Sequence, residues 1–276
     1  MGICKLCLKE RRLVLSHFMP KAAYRSLRSV IMKNANPTMV TKDAMVRTSY
    51  QMADYVLCEE CEARFDRLGE RWVLPRIASK TVFPLLDAVR KAPIDQEIPG
   101  AASHACSGIP EINVEKLTYF AMSIFWRAAV HDWKGMVSNI ELGPYLERIR
   151  LWLLDREPFP RDMSLLVTLA AENKNVFTII PPLQMQATPY HVFLFYVPGV
   201  EFVLYVGKEV VPTIKKFCVF TMPDHPIGIS TGVAVRLETM LNKFVGGGTG
   251  MAKLGKWLDR EEKFANGRRL VRQRQR

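Results

Sequence analysis

The chain has 276 residues, 49% of them apolar and 24% charged, with a formal net charge of +12. This composition fits a folded globular protein with one large core or two ordinary ones, and it excludes a disordered or collagen-like chain. The most apolar stretch, VFLFYVPGVEFVLYVG at 192–207, is broken by Pro198, Gly199 and Glu201, which excludes a membrane-spanning helix there.

No charged-then-apolar secretory pattern follows Met1, and Leu6 stands where a myristoylation signal needs Ser or Thr, so a cytoplasmic location is expected. That compartment keeps thiols reduced, which favours reading paired cysteines as metal ligands over disulfides. The charge is uneven: +8 over residues 1–91, −2 over 92–250 and +6 over 251–276. Basic ends flanking a near-neutral body point to an anionic partner such as nucleic acid, against the plainer reading of solvated basic surface.

In chain order, CKLCLKERRLVLSH (4–17) reads as a knuckle turn followed by a strand, and NANPTMVTKD (34–43) as a loop. YVLCEECEARFDRLGERWV (55–73) reads as a strand that runs into a helix at its cysteines. A helix is expected over 81–92, and Pro93, Pro99, Gly100, Gly108 and Pro110 then mark a linker. The apolar positions 117, 120, 121, 124, 125 and 128 have helical spacing and predict a core helix over 114–133, with a second helix over 145–155. Ser123, Arg127 and His131 form a polar stripe on the first of these, expected to face water or an internal salt bridge in preference to a partner.

From Ser164 the period changes to short β-branched and aromatic runs, SLLVTLAA, NVFTIIPPL, YHVFLFYV, EFVLYVG and FCVFTM, with VPGVE as a hairpin turn. Residues 232–247 return to helix, and the glycines at 246–250 read as a hinge rather than a phosphate loop. The expected class is therefore α+β. A zinc-binding module at 1–92 and a linker at 93–113 precede a helical segment and mainly antiparallel β region at 114–250, and a basic tail follows at 251–276.

The sharpest signal is the repeated spacing Cys4-x-x-Cys7 and Cys58-x-x-Cys61. Two knuckle turns of this kind bring four sulfurs onto one ion at about 2.3 Å, and a closed four-thiolate site leaves no open position, so a zinc ion there is structural. Cys106 and Cys218 have no such partners, and His104, His191 and His225 lack ligand-like neighbours.

The order C-x-x-C, a short strand, LSHFMPK (15–21), DYVLC (54–58) and CEECEARF (58–65) resembles the HNH endonuclease family, the zinc-containing ββα-metal or His-Me finger type, over about the first 70 residues. More narrowly it resembles a largely uncharacterised HNH-like subgroup with Glu after the second cysteine pair. The resemblance implies that His17 is the general base for phosphodiester hydrolysis. It also implies that Glu62, with Ser16, holds a catalytic Mg²⁺ or Mn²⁺. Ser16 stands where many family members carry Asp, Glu62 where they carry His or Asn, and the family's middle Asn has no counterpart, Asp54 lying one residue nearer the cysteines. Lys21, Arg25 and Arg28 at helical spacing, with Arg64 beside the metal, are candidate phosphate contacts, DNA being expected in preference to RNA. A protein partner for the C-terminal domain is a further expectation. The alternative is a zinc-stabilised nucleic-acid- or protein-binding module that has lost cleavage. A nuclease needs His17 and Glu62 on a shared open pocket, which a pure binding module would fill with side chains.

Overall fold

The computed structural model describes residues 1–27, 38–40, 45–79, 81–134, 136, 139–172, 178–185, 189–208 and 210–244. Arg28, most of the 34–43 loop, the glycine hinge and the 251–276 tail lie outside the described residues. In chain order the elements begin with β1 (Gly2–Ile3), β2 (Glu10–Arg11), β3 (Leu13–His17), α1 (Lys21–Ser26), β4 (Thr38–Val40), β5 (Met45–Arg47), β6 (Ala53–Cys58) and α2 (Glu59–Phe65). A π-helical turn (Asp66–Glu70) carries α2 into α3 (Arg71–Val73), followed by α4 (Pro84–Val89), β7 (Ile94–Ile98), β8 (Ala101–His104), α5 (Val114–Val130) and α6 (Tyr145–Leu153). The remainder is β9 (Met163–Ala170), β10 (Ile180–Met185), β11 (His191–Val197), β12 (Val200–Val206), α7 (Pro212–Lys215), β13 (Cys218–Val219), β14 (Ile227–Ser230) and α8 (Gly232–Phe244).

The chain divides into two compact units, residues 1–26 with 51–233 and residues 27–50 with 234–276. In the second, the described residues form the antiparallel pair β4–β5 and the body of α8. The first contains everything discussed below. Its main sheet has the order β10-β11-β12-β9-β14-β8-β7, with β13 also on β9, and every pairing is antiparallel except β14 with β9. The α+β class and the mostly antiparallel sheet match the expectation.

The segment read as a linker, 93–113, corrects one expectation: it supplies β7 and β8, the edge of this sheet. Its punctuation is that of a hairpin. Pro99 and Gly100 make the turn, and Gly100 sits at φ +80, where a side chain is strained. The same device, Pro198-Gly199 with Gly199 at φ +81, joins β11 to β12 as the sequence predicted. Pro181 and Pro182 fall in β10, an edge strand whose register slips beside them, because proline cannot donate to a ladder.

Helix α5 begins at Asn113, whose side chain accepts from the Lys116 amide at 2.8 Å, and is buried nearly all round. One side packs on the sheet, with Phe120 6.0 Å from Phe202 and Phe125 4.9 Å from Phe195 between ring centroids. The other side meets α2 and its π turn, with Trp126 6.0 Å and Tyr119 6.1 Å from Phe65. A helix buried on all sides is a central core element, each large ring contributing about 1.5–3 kcal/mol. The closest approach is at Gly69, where an added Cβ would lie 2.9 Å from the Phe120 amide nitrogen. Backbone cannot retreat as a side chain can, so Gly69→Ala is expected to destabilise the protein by about 1–3 kcal/mol, read as a lowered denaturant midpoint at unchanged slope. No helix among the described residues is long and apolar enough to cross a membrane.

Candidate metal centre and the residues around His17

The two cysteine pairs arrive on different elements. Strands β1 and β2 pair antiparallel, and the CKLC knuckle forms their connection, closed by Cys4 N–H to the Lys9 carbonyl at 3.0 Å and Leu8 N–H to the Cys4 carbonyl at 2.9 Å. The second pair sits where β6 becomes α2, with Cys58 in extended conformation at the helix N-cap and Cys61 in the first turn. Lys5 N–H donates to the Val56 carbonyl at 3.1 Å and Cys58 N–H donates to the Cys4 sulfur at 3.3 Å, which sews one pair to the other.

All four sulfurs lie within 4.8 Å of one another, with Cys7 and Cys58 at 3.9 Å. Tetrahedral thiolates about 2.3 Å from a zinc ion would be about 3.8 Å apart, so the cluster can hold a metal ion such as zinc. Among the described residues it is the one group of three or more His, Cys, Asp or Glu ligands so assembled. Its protonation is shared unevenly. Contact with the Cys61 thiol favours the Cys4 thiolate, pulling it down to about 4, while that contact and burial push Cys61 up and burial raises Cys58. A cation is what removes the remaining protons from such a site.

Helix α6 braces the knuckle. Arg150 is buried and donates from Nη1 to the Leu6 carbonyl at 2.7 Å, while Nε and Nη2 pair with Glu147 at 2.7 and 2.6 Å. Arg150→Met would leave that carbonyl without its charged donor. The expected result is a loss of about 2 kcal/mol in stability and faster metal loss to a chelator, both measurable on purified protein.

Strand β3 pairs antiparallel with β6, so His17 lies opposite Ala53 and Ser16 opposite Asp54, and β6 then leads into α2, which carries Glu62. Ser16 is fully buried, its hydroxyl donating to the Val14 carbonyl at 3.5 Å and accepting from Leu57 N–H at 3.3 Å. Glu62 is half-buried, and its Oε2 is enclosed without a hydrogen-bond partner. Burial raises the Glu62 pKa and Arg127 opposes that rise, while Glu70 adds to it, the Ser16 hydroxyl works against it and Asp66 adds slightly. His17 is half-buried, and burial, then Lys21 and Arg127, hold its pKa below 6.5.

The phosphate-contact candidates separate. Lys21 and Arg25 are exposed four residues apart on α1, directly after the His17 segment. Arg64 is instead half-buried, its Nε committed to the Leu153 carbonyl at 2.6 Å beside the Tyr119 hydroxyl on the same oxygen at 2.8 Å. Two residues that sequence reasoning did not bring to the site stand next to it. Arg127, from the polar stripe of α5, pairs with Glu70 of the π turn at 2.7 Å, and both face the Glu62 side of α2. Their only sequence signal was a cation inside an otherwise apolar helix.

Compared with known protein families, with curated proteins and with solved structures, the chain shows no match to any of them.

Proposed function

We propose that this protein is a metal-dependent endonuclease of HNH-like type that hydrolyses phosphodiester bonds in nucleic acid, DNA in preference to RNA. The observation that supports it most is local. An imidazole with a lowered pKa stands at the end of a strand whose antiparallel partner runs through a four-thiolate cluster into a helix, and that helix carries a carboxylate with an unpartnered oxygen. In this reading a zinc ion on Cys4, Cys7, Cys58 and Cys61 is structural, and the module acts inside the cell.

His17 is neutral at physiological pH, so it accepts the proton of the attacking water. Lys21 and Arg25 hold phosphate oxygens on the exposed side of the same segment. Glu62 would hold a hard divalent cation, Mg²⁺ or Mn²⁺, through its carboxylate, whose enclosed Oε2 must open to reach the ion, with Ser16 as its neighbour. Such an ion, when bound, supplies Lewis-acid stabilisation of the scissile phosphate.

The acid side of the pH–rate profile tests this. The active form carries neutral His17 and ionised Glu62; the first has its pKa lowered from 6.5 and the second raised from 4.5. The acid limb, measured as kcat/KM on plasmid DNA, is therefore expected to be centred below pH 6.5, where His17 gains its proton. An acid limb centred above 6.5 contradicts the assignment.

One observation favours a second reading, a binding module without cleavage. Ser16 is fully buried, the free Glu62 oxygen is closed off, and the positive Arg127 stands where a cation would be repelled. In that case nucleic acid binds in a salt-dependent manner and is released uncut.

A further inference from the structure

The polar stripe of α5 ends on the two strands that carry the His17 site. Arg127 is 1% exposed and donates from Nη2 to Glu70 at 2.7 Å and from Nη1 to the Phe18 carbonyl at 3.4 Å, with its guanidinium 4.6 Å above the Phe65 ring. One turn later His131 Nε2 meets the Asp54 carboxylate at 3.0 Å, on the strand position opposite Ser16. Trp133 completes the cap, its Nε1 donating to the Arg127 carbonyl at 2.7 Å and its ring lying 5.5 Å from that of Phe18.

Strand β3 stops at His17, so the ladder with β6 gives the next residues little support. Phe18 N–H still reaches the Met52 carbonyl at 2.9 Å, and the Phe18 carbonyl accepts from Arg127 Nη1 at 3.4 Å. A guanidinium is suited to this because its planar donors can serve a carboxylate and a carbonyl at fixed angles. Burial between Phe65 and the π turn removes the freedom to choose other partners.

Resting on the nuclease reading of His17, we propose that Arg127, anchored by Glu70, is a positioning residue that fixes the His17–Phe18 backbone and so aims the imidazole. It does not touch substrate, being enclosed on all sides. The site is then built from three separate parts of the chain, the His17 strand, the π turn after α2, and a helix about 110 residues downstream of His17.

A single change at Arg127 leaves Glu70 buried without its partner and risks the fold, so the informative protein is Arg127→Met with Glu70→Met, which replaces the pair by apolar groups of similar size. In the full-length chain this double variant is expected to keep its metal and to melt cooperatively, at a midpoint lowered because the Phe18 carbonyl loses its donor. Its plasmid-cleavage kcat should fall at least tenfold with KM within about twofold, because a misaimed base weakens the transition state and not substrate binding. In a His17→Ala background the same pair of changes should produce no further fall, which a merely structural role would not show. Independently of cleavage, the Phe18 amide should exchange at least tenfold faster and the His17 ring NMR signals should shift in the double variant. A folded double variant with unchanged kcat overturns the proposal. If the wild type cuts nothing, the nuclease reading falls, and the positioning role stands if amide exchange and the ring signals change and is overturned if they do not.

Discussion

Cys58→Ser is expected to unfold the first structural unit as a whole and to abolish retention of one metal equivalent, not merely to loosen the N-terminal segment. Structural zinc contributes apparent binding free energies of about 10–16 kcal/mol in small zinc modules, against about 5–15 kcal/mol for the total stability of a typical domain. Even a fraction of the first exceeds much of the second. The loss spreads because the cysteine cluster is tied to the rest of the unit. Arg150 holds the Leu6 carbonyl of the knuckle, Arg64 and Tyr119 share the Leu153 carbonyl, and Phe65 packs on Trp126 of the central helix. Elemental analysis of fresh wild-type protein should give one zinc per chain, and circular dichroism of Cys58→Ser should show loss of both helix and strand. A wild type containing well under one equivalent, or a cooperative native-like melt for the variant, counts against the structural role.

His17→Ala is expected to reduce Mg²⁺- or Mn²⁺-dependent cleavage by about 10²–10⁴-fold, the usual contribution of a positioned general base. Zinc content and affinity for uncleaved DNA should change little, because the imidazole is outside the four-thiolate cluster and acts on the transition state. Glu62→Ala should differ in kind, raising the divalent metal concentration needed for half-maximal rate. A His17→Ala protein that retains most of a confirmed activity removes His17 from the mechanism.

The cysteine cluster was the most legible part of the molecule, since two-residue spacing between thiols constrains a knuckle so strongly that it survives without tertiary context. The strand–helix order around it was also readable, from the run LVLSH (13–17) on one side and the run from Tyr55 through the second cysteine pair on the other. What stayed hidden was what the rest of the chain does to that region. The hairpin of β7 and β8 was read as linker because IDQEI and AASH are polar and small, and its pairing depends on β14, more than 100 residues later. That strand, IGIS, is too short and glycine-containing to announce itself, and it lies parallel to β9 through a long connection.

The central helix was legible as a helix but not as the element shared between sheet and metal module. Its polar stripe admitted water or an internal salt bridge, and the structure resolves it into four contacts: Ser123 on the Phe120 carbonyl, Arg127 on Glu70 and on the Phe18 carbonyl, and His131 on Asp54. Arg150 had a fainter signal, a cation on the buried face of α6 beside Ile149 and Leu153. Buried cations of this kind are chosen by partners distant in sequence, and local periodicity carries no record of those partners.

The central claim is that His17 and Glu62 perform metal-dependent phosphodiester hydrolysis. The most direct measurement is incubation of purified full-length protein with supercoiled plasmid and with single-stranded RNA, in Mg²⁺, in Mn²⁺ and in chelator, followed by gel electrophoresis. The account predicts nicked and linear plasmid with either metal, weaker cleavage of RNA, and none when chelator is present. Intact nucleic acid under every metal condition, together with binding that weakens steeply as salt rises, contradicts it and leaves a metal-stabilised binding module in its place.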